Sequence, residues 1–69
     1  MDIMEQIQEE MSRQGISIWR LSKMLELSEQ AVYRWFRYEQ NPTLSHLIDI
    51  AWVLGCEIEL KKIEEQNNG

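Results

Sequence analysis

Cysteine, histidine and proline each occur once in this 69-residue chain, as Cys56, His46 and Pro42, and glycine only three times. A lone cysteine cannot close an internal disulfide. With a lone histidine it cannot supply the three or four Cys and His ligands of an ordinary zinc site. A disulfide scaffold and a zinc finger are excluded, and no metal or other cofactor is expected. No apolar run approaches the roughly 20 residues of a membrane-spanning helix. Met1 is followed by Asp2, Glu5 and Glu9 rather than by a basic and then an apolar stretch, so no signal peptide is readable. The expectation is a soluble, cytoplasmic protein without membrane association. Glycine-rich phosphate loops, serine-nucleophile motifs and paired catalytic acids are missing too, so no enzyme is expected.

Positive charge is also in short supply. Seven Lys and Arg face twelve Asp and Glu, a net charge of −5, the reverse of the basic footprint that nucleic-acid binders carry. The deficit is uneven. Residues 1 to 10 contribute −4 and residues 57 to 69 contribute −2, whereas residues 11 to 56 contribute +1. A weakly basic middle lies between acidic ends, and a phosphate senses the local face rather than the total. The length fits one small domain. A domain of this size buries only about 60% of the surface its unfolded chain exposes, so a partner subunit would help it.

What is present is a succession of short helical patterns. Ile3, Ile7 and Met11, with Met4 beside them, form one apolar stripe over residues 2 to 14. Asp2 stands at its start and Gly15 is placed to end it in a left-handed cap. Ser17 caps a second helix with Ile18, Leu21, Met24 and Leu25 inward. Ser28 begins a third, over residues 29 to 38, so little more than a turn separates the two. Short helices joined this tightly must cross steeply. Asn41-Pro42-Thr43 breaks the chain again. Thr43 caps a fourth helix with Leu44, Leu47, Ile50, Ala51 and Leu54 at helical spacing, stopped by Gly55. Residues 57 to 61 then alternate apolar and charged and suggest a short strand. It has no partner within the chain, so pairing with a second copy is expected. Residues 64 to 69 read as a polar tail. The organisation expected is a domain over 1–56, a dimerisation element over 57–63 and the tail.

The third helix carries the chemistry. Val32, Trp35 and Phe36 share one side and can anchor it, while Gln30, Tyr33, Arg34 and Arg37 follow the i, i+3, i+4, i+7 pattern on the other. Arg donates two bonds to guanine, Gln pairs bidentately with adenine, and Tyr reaches phosphate or a thymine methyl. A stripe of this kind is equally the solvated face of any surface helix, so the pattern alone does not decide. Glu29 suits the helix dipole before it suits a cytosine amine.

Residues 17 to 54 resemble the helix-turn-helix domains of the phage Cro and repressor superfamily, often called XRE-like. The resemblance rests on Leu21-Ser22, Leu25, Leu27-Ser28, Val32, Arg34-Trp35, Pro42, Leu44, Leu47, Ile50-Ala51 and Leu54-Gly55 in that order. It implies an all-α bundle of four or five helices whose third helix enters the major groove, with Gln30, Tyr33 and Arg34 facing bases and Glu29 beside them. Ser17, Ser28, Arg37, Gln40 and Asn41 are then backbone-contact candidates. Three positions depart from the family pattern. Ile18 stands where many members have Gln, and Glu26 and Tyr38 replace glycines after the second and third helices.

Arg20 and Lys23 lie three residues apart on the second helix and could straddle a phosphate strand, or simply aid solubility. Ile48, Trp52 and Val53, with Ile58 and Leu60 of the strand, suggest a dimer interface. The competing view folds the acidic first helix over the Ile48–Trp52 patch. His46 reads as a surface residue and Cys56 as core. The function expected is a sequence-specific DNA-binding transcription regulator, a homodimeric repressor of bacterial or phage type on a roughly palindromic operator in double-stranded DNA. The alternative is a protein-binding module on the same scaffold, such as an antitoxin gripping a toxin or a phage inhibitor of a host enzyme.

Overall fold

A computed structural model of the chain describes residues 2 to 63. Four helices follow in order: α1 (Ile3–Gln14), α2 (Ile18–Leu25), α3 (Glu29–Phe36) and α4 (Leu44–Val53). Each opens on a polar side chain that satisfies an otherwise orphaned amide. Asp2 accepts from Glu5 N–H at 2.9 Å while the Glu5 carboxylate accepts from Asp2 N–H at 3.1 Å, a reciprocal capping box. Ser17, Ser28 and Thr43 accept from the amides of Arg20, Ala31 and His46. Loss of such a cap typically costs about 1 kcal/mol.

The four helices also end alike. In each, one amide reaches back three residues and the next reaches back five: Gly15 to Ser12 and Ile16 to Met11, Glu26 to Lys23 and Leu27 to Ser22, Tyr38 to Trp35 and Glu39 to Arg34, Gly55 to Trp52 and Cys56 to Ala51. This is the Schellman closure, and it requires a left-handed residue. Gly15 and Gly55 supply it at φ 71° and 74°. Glu26 and Tyr38 supply it with side chains, at φ 59° and 60°. The Glu26 closure lets only residues 26 to 28 separate α2 from α3.

Leu21, Val32 and Ile50, from α2, α3 and α4, are wholly shielded from solvent. Met4, Ile7, Met11, Trp35, Phe36 and Leu54 close around them. Ser22 is the one buried polar side chain among the described residues, and its hydroxyl donates to the Trp19 carbonyl at 2.6 Å. A larger residue there would displace the helices packed on it. Among the described residues, long-range hydrogen bonds tie α1 and its cap to the rest. Gln14 donates to the Leu54 carbonyl at 2.7 Å, and the Tyr38 hydroxyl donates to the Asp2 carboxylate at 3.3 to 3.4 Å.

Several expectations are corrected. Met4 rather than Ile3 completes the buried stripe of α1, and α3 stops at Phe36 because Tyr38 turns left-handed. Leu44 is 68% exposed instead of buried. Cys56 is exposed, although Ile16 and Leu27, which hold the same position in their own helix closures, pack against the core. His46 is half-buried, its ring centroid 4.8 Å from that of Trp35 and its Nδ1 3.1 Å from Thr43 Oγ1. Residues 56 to 63 leave α4 without regular structure, and no strand occurs among the described residues. The expected pairing of 57–61 requires a second chain. The tail at 64–69 lies outside the described residues.

Candidate nucleic-acid interface

The packing of α3 decides which of its side chains are available. Val32, Trp35 and Phe36 are buried, which fixes the rotation of the helix about its axis. Gln30, Tyr33, Arg34 and Arg37 consequently project outward, all exposed, with Tyr33 at 45%. Glu29, Gln30, Tyr33, Arg34, Arg37 and Glu39 line one shallow, open depression. The α3 stripe is therefore a continuous surface.

Its charges are not equivalent. The Arg37 guanidinium lies 5.6 Å from the Tyr33 ring centroid, and its Nε is 3.6 Å from the Glu39 carboxylate. It is held in place and partly neutralised. Arg34 has no ion pair or ring contact among the described residues, so its five donors are free for a ligand. Glu29 occupies the first turn of α3, where a carboxylate favours the positive helix end.

The start of α2 adjoins this surface. Ser17 and Ile18 share a shallow groove with Tyr33 and Arg37, walled by Met11 and Ser12 of α1. The Ser17 and Ser28 oxygens each accept a capping bond, and because both residues are exposed each hydroxyl can still donate to a ligand. Arg20 and Lys23 are exposed on α2, and the Lys23 ammonium sits 5.5 Å from the Trp19 ring. Neither lines the α3 depression or the Ser17 groove. Gln40 and Asn41 are exposed in the turn after α3, whose path is fixed by the Arg34 carbonyl accepting from the Glu39 and Gln40 amides at 3.0 and 3.4 Å. Gln30, Tyr33, Arg34, Arg37, Ser17 and Ser28 can each donate a hydrogen bond from this surface, whereas Glu29 and Glu39 can only accept one.

The residues expected at an interface between copies divide. Ile48, Trp52 and Ile58 line one open groove with Ala51, Gly55, Cys56 and Glu57. Val53 is half-buried against the core and does not belong to it, and Leu60 is fully exposed beyond it. Helix α1 does not cover the patch, since Ile48 and Trp52 remain 52% and 80% exposed. Leu44 is a further exposed apolar residue of α4, and its place four residues before Ile48 is the signal for it. Among the described residues no three His, Cys, Asp or Glu side chains are grouped as a metal would need, and no helix is long and apolar enough to cross a membrane.

A family model described as a helix-turn-helix matches residues 7–61, which span the end of α1, all of α2, α3 and α4, and the segment that follows. No curated protein and no solved structure matches the chain.

Proposed function

Because the chain belongs to the XRE-type helix-turn-helix family, we propose that it is a sequence-specific transcription regulator that reads double-stranded DNA with α3. The observation that carries this is the division of α3 into a face locked in the core and an outward face of Gln30, Tyr33, Arg34 and Arg37. Seated in the major groove, Gln30 and Arg34 would meet base edges and Tyr33 a phosphate or thymine methyl, with Glu29 beside them. Ser17, Ser28, Arg37, Gln40 and Asn41 would bond the sugar-phosphate backbone on either side, and Arg20 and Lys23 would sit over a flanking strand.

One α3 covers only a few base pairs. In this reading the chain acts in the cytoplasm as a homodimer on a roughly palindromic operator, its two recognition helices about 34 Å apart, one turn of the duplex. It represses by excluding polymerase and needs no cofactor or catalysis. Residues 1–56 bind DNA and 57–63 help join the copies. Selection of bound duplexes from a random pool tests this. Recovery of one inverted-repeat sequence, with a gel shift that survives competition by unrelated DNA, is the expected result. Equal recovery of all sequences would reject specific reading.

The net charge of −5 and the exposed apolar face of α4 favour a second reading, a module that binds another protein such as a toxin. A stoichiometric protein complex in the absence of any DNA shift would decide for it.

A further inference from the structure

Among the exposed side chains of α3, Tyr33 is the one that offers a broad apolar surface; Glu29, Gln30 and Arg34 end in a carboxylate, an amide and a guanidinium. Tyr33 and Arg37 also line both the α3 depression and the groove that begins at Ser17. On the groove side the neighbours are apolar: Met11 of α1, Ile16, Ile18 in the first turn of α2, and Phe36. Met11 and Phe36 are buried, and Ile16 and Ile18 pack against the core, so this wall is fixed by the fold. The Arg37 guanidinium lies over the Tyr33 ring and is itself tied to Glu39. The ring thus sits between a core-anchored wall and a clamped cation.

We propose that Tyr33 reads the C5-methyl group of a thymine, and that Ile18, on α2, sets this preference by seating the ring. The proposal rests on the reading of α3 as the recognition helix. The edges of the bases in the major groove present donors, acceptors and one apolar feature, the thymine methyl. A polar surface with one apolar element at its centre is complementary to that pattern. Restricting the ring beforehand also lowers the ordering cost of binding. Ile18 has no hydrogen-bonding side chain and lies outside the α3 depression. It therefore acts through Tyr33, as a positioning residue that affects the choice of base rather than the attraction of the backbone.

The surroundings of the ring decide between the ligands a tyrosine can take. A phosphate contact needs the hydroxyl alone and draws nothing from the Met11, Ile18 and Phe36 wall. A methyl group needs the apolar ring and uses the wall that holds it. A 5-methylcytosine carries the same methyl beside a different group: cytosine N4 donates hydrogen bonds, whereas thymine O4 accepts them. Arg34 and Arg37 flank Tyr33 in the depression and bring donors without any acceptor. Thymine is the 5-methylpyrimidine that this arrangement favours.

The test uses the full chain and the duplex it selects from a random pool, remade with each thymine in turn replaced by deoxyuridine. That exchange removes the methyl and leaves every hydrogen-bonding group in place. One thymine in each half-site should respond, with binding weakened about fourfold, the worth of one methyl group withdrawn from water. Tyr33→Ala should abolish the difference and Tyr33→Phe should keep it. Ile18→Ala, with an unchanged circular dichroism spectrum, should shrink it while the base preference at the Arg34 contact persists. The Tyr33 variants, at an exposed position, decide the methyl reading even where Ile18→Ala unfolds the chain. Tyr33→Phe weakening thymine and deoxyuridine duplexes alike would make Tyr33 a phosphate contact and overturn the proposal. Ile18→Ala weakening both alike would remove the role of Ile18, and 5-methylcytosine bound as tightly as thymine would remove the choice between them. A selected operator indifferent to every thymine methyl would overturn this proposal alone, whereas selection of no operator would overturn the regulator reading with it.

Discussion

The side-chain amide of Gln14 donates to the backbone carbonyl of Leu54 at 2.7 Å, joining the last residue of α1 to the residue that closes α4. That carbonyl's other contact among the described residues is a long one to the Cys56 thiol at 3.6 Å. Gln14 also donates to Glu10, which pairs with Arg13, so the amide is held from both sides. Gln14→Leu keeps the helix and the bulk but removes the donor. It should lower stability by about 1 kcal/mol, a fall of several degrees in Tm for a domain this small, with DNA affinity unchanged in the folded protein. A loss of affinity at unchanged Tm would show that the bond positions the DNA surface instead.

Glu26 and Tyr38 hold the same left-handed conformation but differ in what their side chains do. The Glu26 side chain makes no bond among the described residues, whereas the Tyr38 hydroxyl reaches Asp2. Glycine relieves left-handed strain at both positions. Glu26→Gly should therefore raise stability by about 0.5–1 kcal/mol. Tyr38→Gly should gain less or nothing, because it also loses the tie to α1. Thermal unfolding of the two variants side by side separates these outcomes, and equal gains would mean that the Tyr38–Asp2 contact contributes nothing.

The helix starts were legible because capping is local: Asp2, Ser17, Ser28 and Thr43 each precede an apolar period and each caps as read. The faces of α3 were legible for a similar reason, since Val32, Trp35 and Phe36 are the only large apolar residues on one side of it. Leu44 was misread because periodicity locates one apolar face and cannot sort two faces on the same helix. Cys56 was misread because the residue after a left-handed helix end can go either way: Ile16 and Leu27 pack against the core from that position and Cys56 does not. The Gln14–Leu54 and Tyr38–Asp2 bonds join residues 40 and 36 positions apart, and no local pattern announces such a pairing.

Tyr38 gives the fold an alkaline dependence. Partial desolvation and then the neighbouring Asp2 carboxylate, as charge and as hydrogen-bond acceptor, raise its phenol above the ordinary value of 10.0. The neutral phenol is thus favoured in the folded state. Its contribution is complete below the unfolded value and is lost as pH rises through the folded one. The ring is 58% exposed, so the effect on stability is small. In a Tyr33→Phe background, absorbance titration of the remaining tyrosine should give a midpoint above 10.0, and Asp2→Asn, which preserves the cap, should lower it. A midpoint indifferent to Asp2→Asn would remove the carboxylate as a cause.

Arg34 and Lys23 carry the same charge in different places, and that difference separates reading from attraction. Arg34 lies within the α3 depression with its guanidinium unpaired among the described residues, whereas Lys23 lies on α2 against the Trp19 ring. A bidentate contact to guanine is geometric, so Arg34→Ala should cost roughly 1–3 kcal/mol on the selected operator and flatten the preference at one base pair per half-site. An ammonium near phosphate acts through released counterions. Lys23→Ala should therefore weaken all duplexes alike and reduce the slope of log affinity against log salt by about 1 per subunit, from a wild-type value of about −5 to −7 if a dimer neutralises six to eight phosphates. Binding curves on operator and scrambled duplexes at several salt concentrations measure both effects. If the two variants lose affinity uniformly across sequences, Arg34 is a phosphate contact and Gln30 and Tyr33 must carry the base recognition.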